Sequence, residues 1–321
     1  VANINYSTTN FDKTVTALVK EEVKNIRRNL RYLQPGAYED GELIPGTNLI
    51  RHVSYGDLSI VAPAQSDGTP PWLAEGTTPT ALALGISYDE FAVNQIGKVV
   101  EITDRALKYN PHNLMAKAAE RIAWDAMATT DAIVASVVQA ITATTTNGHA
   151  AAALTTSDYL TSALVRLQVA ALRATGIPPV FGTDYGAMVH PYAIYDLMGD
   201  SAWQDVAKYA SPENMLSGEV GRLYGVRFIE TTVGTWVNNT GGVGSNIPVY
   251  STLFFGANYF AFGDFGSIET YMVTGPDKSD PLNQLAKVGY KGYIGADVST
   301  TLGTRARRLV HAGSVAGAAS I

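Results

Sequence analysis

At 321 residues the chain can bury a sizeable core, and its length fits two domains or one large one. Charged residues are only 16% of it, against about 25% in ordinary soluble chains, which implies that something other than water covers much of the surface. A net charge of −6 excludes a protein that coats nucleic acid over its whole surface, and the absence of cysteine excludes a disulfide framework, thiolate metal sites and a cysteine nucleophile.

The amino-terminal stretch VANINYSTTNFDK lacks the basic start and apolar core of a secretory signal. The apolar runs over 132–141 and 253–262 are shorter than the roughly 20 residues that cross a bilayer. The expectation is a soluble protein made in the cytosol, with no membrane partner. Over 12–33, Val15, Val19, Val23, Ile26, Leu30 and Leu33 recur at helical spacing, while Lys20, Lys24, Arg27, Arg28 and Arg31 gather on another stripe. That basic face is either a solvated surface or one turned toward nucleic acid or an acidic partner.

From residue 43 the pattern changes to alternation. Leu82, Leu84, Ile86 and Tyr88 read as a half-buried strand, and 49–61 is a plausible partner arm. Pro63, Pro70, Pro71 and Pro79, with Gly68 and Gly76, make the joining segment irregular. An extended hairpin with apolar tip residues Trp72 and Leu73 results. Such a hairpin is marginal alone, so it either lies on another surface or folds back on its own domain.

Asn110 followed by Pro111 is a cap and first-turn signal, from which a helix of roughly 45 Å runs to about Ile141 along Leu114, Ala118, Ile122, Ile133 and Val137. Thr155 and Asp158 read as a capping box for a helix through Leu160, Leu164, Leu167 and Ala171, stopped at Gly176 and Pro178-Pro179. A strand over 188–190 then meets Pro191, which suits the first turn of a helix carrying Ile194, Leu197 and Met198. Ser201 and Ser211-Pro212 announce two further short helices. Gly225 turns the chain into a strand over 226–231, and 237–248 reads as a loop. Strands follow over 268–274 and 285–294, with a last arm ending near His311.

Nothing in this order carries an obvious chemistry. His52, His112, His149, His190 and His311 lie far apart and lack metal-ligand spacing, so each is read as structural. Gly241 to Gly244 lacks a phosphate-loop lysine, and Gly289, Gly292 and Gly295 suit a strand with close backbone approach. Asp277 and Asp280 flank a turn. No catalytic residue, cofactor-binding residue or metal ligand is assigned, and no cofactor is expected. Arg305, Arg307 and Arg308 form one basic cluster, suited to nucleic acid or to a neighbour's acidic residues.

Several phrases nonetheless share a context. Gly221-Arg-Leu-Tyr-Gly225-Val226 fits a Gly-x-x-x-Gly-Val turn behind a strand and small helices. Leu73-Ala-Glu-Gly-Thr-Thr-Pro79, Gln95-Ile-Gly-Lys-Val-Val-Glu-Ile-Thr-Asp104, Asp280-Pro-Leu-Asn-Gln284 and Val288-Gly-Tyr-Lys291 add to it. With the order of elements, these resemble the major capsid proteins of tailed double-stranded-DNA bacteriophages, and the local phrases are similar to a short-tailed coliphage subgroup.

The resemblance implies an α+β chain of the Hong Kong 97-type capsid fold, divided into an amino-terminal arm and amphipathic helix (1–42), an extended hairpin loop (43–103), the spine helix of a peripheral domain (104–148), an axial domain (149–266) and closing strands of the peripheral domain (267–321). It implies a non-enzymatic homo-oligomer forming the hexamers and pentamers of an icosahedral shell. Expected partners are a scaffolding protein, a portal, a decoration protein and packaged double-stranded DNA, held through non-specific inner-face contacts. The expected location is the virion capsid, after assembly in the host cytoplasm. Pro191, Trp203, Gly221 and Gly225 are expected to set the shape of the axial domain. The alternatives are an encapsulin-like protein compartment of the same fold, or an enzyme with an unrecognised site.

Overall fold

A computed structural model describes residues 32, 37–38, 42–44, 46–55, 75–76, 83–110, 112–145, 153–155, 157–200, 222–241, 247–266, 268–276, 280–298 and 305–314. The amphipathic helix expected over 12–33 lies outside them except at Tyr32. So do Trp72 and Leu73 of the hairpin tip, the short helices expected behind Ser201 and Ser211-Pro212, and the shape residues Trp203 and Gly221.

The chain opens with short strands β1 (Ala37–Tyr38) and β2 (Glu42–Leu43), then the hairpin arms β3 (Leu49–Tyr55) and β4 (Ile86–Ala92), and β5 (Asn94–Thr103). Thr103 caps a short helix α1 (Asp104–Tyr109), its hydroxyl accepting from the Ala106 N–H at 3.3 Å. Asn110 ends this helix instead of starting the long one. A residue before proline avoids the helical region, and Asn110 is extended (φ −85, ψ 130), its N–H donating back to the Ala106 carbonyl. The long helix α2 (Leu114–Gln139) is capped by Asn113, whose side chain accepts from the Ala116 N–H at 3.2 Å. Its 26 residues span about 39 Å. Thr129 and Thr130, which break the apolar stripe, donate their hydroxyls to the carbonyls of Asp125 and Ala126 one turn back.

One helix thereby fastens two sheets. Ala118, Ile122 and Ala126 of α2 pack with Ile102, Val288 and Tyr290. Val134, Ala135 and Val138 pack with Met188, Leu253 and Phe255, and with Tyr32. After α2 come β6 (Ala143–Thr145) and α3 (Ser162–Ala174). Thr155 and Asp158 close a local turn, the Asp158 carboxylate accepting from the Thr155 N–H at 2.8 Å, so the bonds of a capping box are made without a helix behind them. Thr161 is the actual cap of α3, and the Asp200 carboxylate takes the next N–H, that of Ser162, at 2.8 Å. The far end closes as a Schellman motif: Gly176 at φ +72 donates to the Arg173 carbonyl and Ile177 to that of Leu172.

Strand β7 (Tyr185–Val189) leads through His190 into α4 (Pro191–Met198) with proline in the first turn. The next strands are β8 (Arg222–Leu223), β9 (Val226–Glu230), β10 (Trp236–Gly241) and β11 (Ile247–Phe255). Part of the segment read as a loop over 237–248 is therefore a strand, because β10 finds a partner in β11. The chain continues as β12 (Phe260–Asp264), β13 (Glu269–Val273), β14 (Leu285–Asp297) and β15 (Ala306–Ala312).

In the seven-stranded sheet, β6, β15, β11, β7, β9 and β8 lie in that order, with β10 also on β11. Strand β11 is buried on both faces, which explains why it is apolar on both except at Ser251 and Thr252, whose hydroxyls bond to Gln139 and His311. Tyr250 and Phe254 face α3 and α4, whereas Leu253 and Phe255 face α2. The five-stranded sheet is built on β14, which pairs with β5, β13 and β12, while β1 flanks β12. Two strands change sheets across the expected 266/267 boundary. Strand β12, placed by the sequence in the axial segment, joins β14, and β15, placed among the closing strands, pairs with β11 in the other sheet.

Candidate assembly surfaces

Strands β3 and β4 pair antiparallel from Leu49↔Ala92 to Tyr55↔Ile86, so their side chains alternate between two faces. One face is anchored at its root. Ile50 and Phe91 are buried with Val93 and Ala261, against Phe265 and Tyr293. A Cβ at Gly263 would stand 2.2 Å from Ile50 Cδ1, so the glycine lets the hairpin settle on β12. His52 stacks on Phe91 with ring centroids 5.5 Å apart.

The opposite face is open. Arg51 donates to Glu90 at 2.7 Å and lies 4.9 Å from the centre of the Tyr88 ring. Beyond that pair the face is apolar: Tyr55 is 64% exposed, Tyr88 54% and Ile86 51%, with Leu84 and Val53 beside them. A contiguous exposed stripe of this kind marks an interaction surface.

A second open face lies on the five-stranded sheet, opposite α2. The register puts Val99, Gly289 and Tyr271 in one row, with Glu101, Lys287 and Val273 next to it. A Cβ at Gly289 would meet the Lys98 carbonyl at 2.9 Å, and one at Gly97 the Tyr290 carbonyl at 2.8 Å. These glycines leave bare backbone between the exposed side chains of Val99, Tyr271 and Val273, a flat surface with apolar edges. The glycines of β14 thus have the role expected from the sequence, close backbone approach.

Among the described residues, several groups that could do chemistry are engaged in structural bonds. The groove of about 680 Å³ between the segment leading into α3 and the end of α4 is lined by Tyr159, Leu160, Tyr195, Met198, Asp196 and Asp200. Its carboxylates are engaged: Asp200 accepts from the Ser162 N–H, and Asp196 accepts from the N–H of Ser314 at 3.0 Å and from its hydroxyl. Among the described residues, no group of three or more His, Asp or Glu side chains could hold a metal ion.

Two of the dispersed histidines meet, against their separation in sequence. His190 caps α4, its Nδ1 accepting from the Tyr192 N–H at 3.2 Å, and it stacks on Tyr250 with centroids 4.6 Å apart. His311 lies 6.3 Å from Tyr250 on the other side. Its Nδ1 is 2.9 Å from the Ala312 carbonyl, which can only accept, so Nδ1 carries the proton and Nε2 accepts from the Thr252 hydroxyl at 2.9 Å. Burial pulls both histidines down to a pKa of about 4. The basic cluster on the last arm does not form one surface. Arg307 and Arg308 are consecutive on β15 and point to opposite faces. Arg307 donates to Gln168 at 3.0 Å, and burial lowers the pKa of Arg308.

A family model described as phage capsid protein matches residues 87–311. The chain belongs to the phage capsid proteins. No curated protein matches this capsid protein. Among solved structures, it is similar to the capsid of Ralstonia phage GP4, with 13% identity, a TM-score of 0.70, and coverage of 93% of this chain and 95% of that one. The capsid of cyanophage Pam1 matches with 14% identity and a TM-score of 0.69 over 97% of this chain and 99% of that one. The capsid of Helicobacter pylori bacteriophage KHP30 matches with 13% identity and a TM-score of 0.60 over 97% and 99%. At such identities the likeness establishes the fold: this capsid protein has the Hong Kong 97-type α+β architecture. The encapsulin-like compartment is not favoured.

Proposed function

We propose that this capsid protein is the principal shell subunit of a tailed bacteriophage, forming hexamers and pentamers of an icosahedral particle around double-stranded DNA. Its role is structural and not catalytic. The observation that carries the reading is the hairpin, which is anchored at Ile50 and Phe91 and open at Tyr55, Ile86 and Tyr88. In a closed shell every copy makes the same complementary contacts. The apolar stripe of one copy and the flat face of the β5–β14–β13 sheet of the next are suited to each other in this way.

The proposed division keeps the arm (1–42), hairpin (43–103), spine helix (104–148), axial domain (149–266) and closing strands (267–321), with β12 and β15 tying the last two together. A scaffolding protein, a portal and a decoration protein are the proposed partners. Assembly in the host cytoplasm and residence in the virion follow from the reading, and membership of the short-tailed coliphage subgroup rests on the local phrases alone.

The test is electron microscopy of the full chain expressed with its scaffold, beside the double variant Tyr55→Asp/Tyr88→Asp. Closed particles are expected for the natural chain. The two exposed substitutions should change subunit stability by no more than about 1 kcal/mol together and leave only free subunits or capsomers. Particles from the double variant at the natural yield would overturn the proposed role of the hairpin. A natural chain that stays monomeric at high concentration with scaffold would overturn the shell reading.

A further inference from the structure

In this acidic chain, four arginines converge on the turn between β8 and β9, two from α3 and one from each strand of the hairpin. Tyr224 and Gly225 both have positive φ, +50 and +76, the geometry of a tight type I′ hairpin turn. A glycine adopts it freely, but tyrosine is strained in the left-handed region, and here its aromatic ring is partly exposed at the tip. Arg166 of α3 places its guanidinium 5.4 Å from the centre of that ring. Arg173, two turns further along α3, has its Nη2 3.2 Å from where a Gly225 Cβ would stand. From the strands, Arg227 lies 4.8 Å over the Phe181 ring and Arg222 pairs with Asp184 at 2.6 Å.

Among the described residues the charge here is unbalanced. Arg222 and Arg227 are directly opposed across β8 and β9, a like-charge pairing that Asp184 relieves on the Arg222 side alone. Asp184 is buried and has a resolved ion pair with Arg222; no ion pair is resolved for Arg166, Arg173 or Arg227 among the described residues. All four arginines are exposed. Guanidinium groups seated on aromatic faces keep their edges free for phosphate oxygens, which they bind in a bidentate fashion. Arg166 and Arg173 stand about 10 Å apart along the helix axis, a length over which duplex DNA presents roughly six charges. Alternation puts Arg222 and Arg227 on the face away from α3, so the helix pair and the strand pair meet at the sheet edge around Gly225 and Asp184, and this spread of cations along an edge suits a continuous polyanion better than a single carboxylate.

We propose that Arg166, Arg173, Arg222 and Arg227 around the β8–β9 turn form a binding surface for the phosphodiester backbone of double-stranded DNA, without base specificity. The inference rests on the reading of this chain as a DNA-enclosing shell subunit and adds to it the face that touches DNA. Each arginine that neutralises a phosphate adds about 0.9 to the slope of log affinity against log salt.

The experiment is fluorescence anisotropy of a labelled 30-base-pair duplex of mixed sequence with the full chain, at 50 to 200 mM salt. The triple variant Arg166→Gln/Arg173→Gln/Arg227→Gln should lower the slope by about 2.7, so that the natural protein loses roughly 40-fold more affinity than the variant over that fourfold rise in salt. The triple lysine variant at the same positions should keep the slope, and it also serves if the glutamine variant does not fold. A glutamine variant with unchanged binding and slope overturns the proposal. So does one that binds DNA normally but no longer forms particles, which would make the patch a contact between copies. A natural chain that binds DNA through these arginines yet forms no particle would leave the surface standing and remove the shell reading.

Discussion

Acid should loosen the seven-stranded sheet at the end where His190 and His311 flank Tyr250. Burial holds both rings neutral; protonation breaks the bond in which His190 accepts the Tyr192 N–H, and at His311 it forces the bond with the Thr252 hydroxyl to reverse. Their folded pKa of about 4 lies below the ordinary histidine value of 6.5, so the unfolded chain takes up these protons first. The associated stability is complete above pH 6.5 and is lost progressively as pH falls toward 4. At pH 5 the fully buried His311 costs about 2 kcal/mol, and about 3 once pH is below 4, while His190, less deeply buried and opposed in charge by His311, adds no more than a similar amount. The pair therefore removes at most about 4 kcal/mol at pH 5 from a typical total of about 5–15. Of the charged groups near His311, Asp196 favours protonation and His190 opposes it. Asp297, whose pKa is raised by burial, acts in the opposite direction, since the folded chain binds its proton more readily. Comparison with a variant separates these contributions. Urea unfolding midpoints should fall between pH 7 and pH 5, and His311→Gln, which keeps a hydrogen-bonding side chain without titrating, should show a fall smaller by about half. A variant whose pH dependence matches that of the natural chain would refute the assignment.

Two further changes test the framework. Asn113→Ala removes the cap of α2 and should cost about 1 kcal/mol in urea unfolding, whereas Asn110→Ala, which only loses an N–H contact from His112, should cost less. Gly186→Ala would place a Cβ 2.2 Å from the Phe255 ring, buried between β11 and α2, and overpacking there should cost about 1–3 kcal/mol. Equal stability to the natural chain would mean that the ring has room to move.

Signals within a few residues of each other located most elements but not always their roles. The helical stripe of α2 was legible from Leu114, Ala118 and Ile122, and Pro191 marked the start of α4 correctly. Asn110 misled because an Asn before proline satisfies two rules at once, and the pre-proline restriction on its own backbone decided the outcome. Thr155 and Asp158 misled because a capping box and an isolated turn share the same local bonds.

What was not legible depends on pairing. Nothing local to β15 says that Leu309 and His311 will lie against β11 instead of beside β14, since both sheets offer an apolar neighbour to an alternating strand. That single pairing brings His311 to Tyr250, and hence to His190, and it turns Arg307 and Arg308 to opposite faces of the sheet. The same limit explains the arginines. A run of basic residues in sequence was dispersed by the alternation of a strand, while four arginines from α3 and the β8–β9 hairpin were gathered because β9 lies beside β7 and under α3. For a shell protein, whose function is the arrangement of surfaces, charge has to be counted on the assembled sheet, and the positive φ of Tyr224 likewise appears only once β8 and β9 have paired around it.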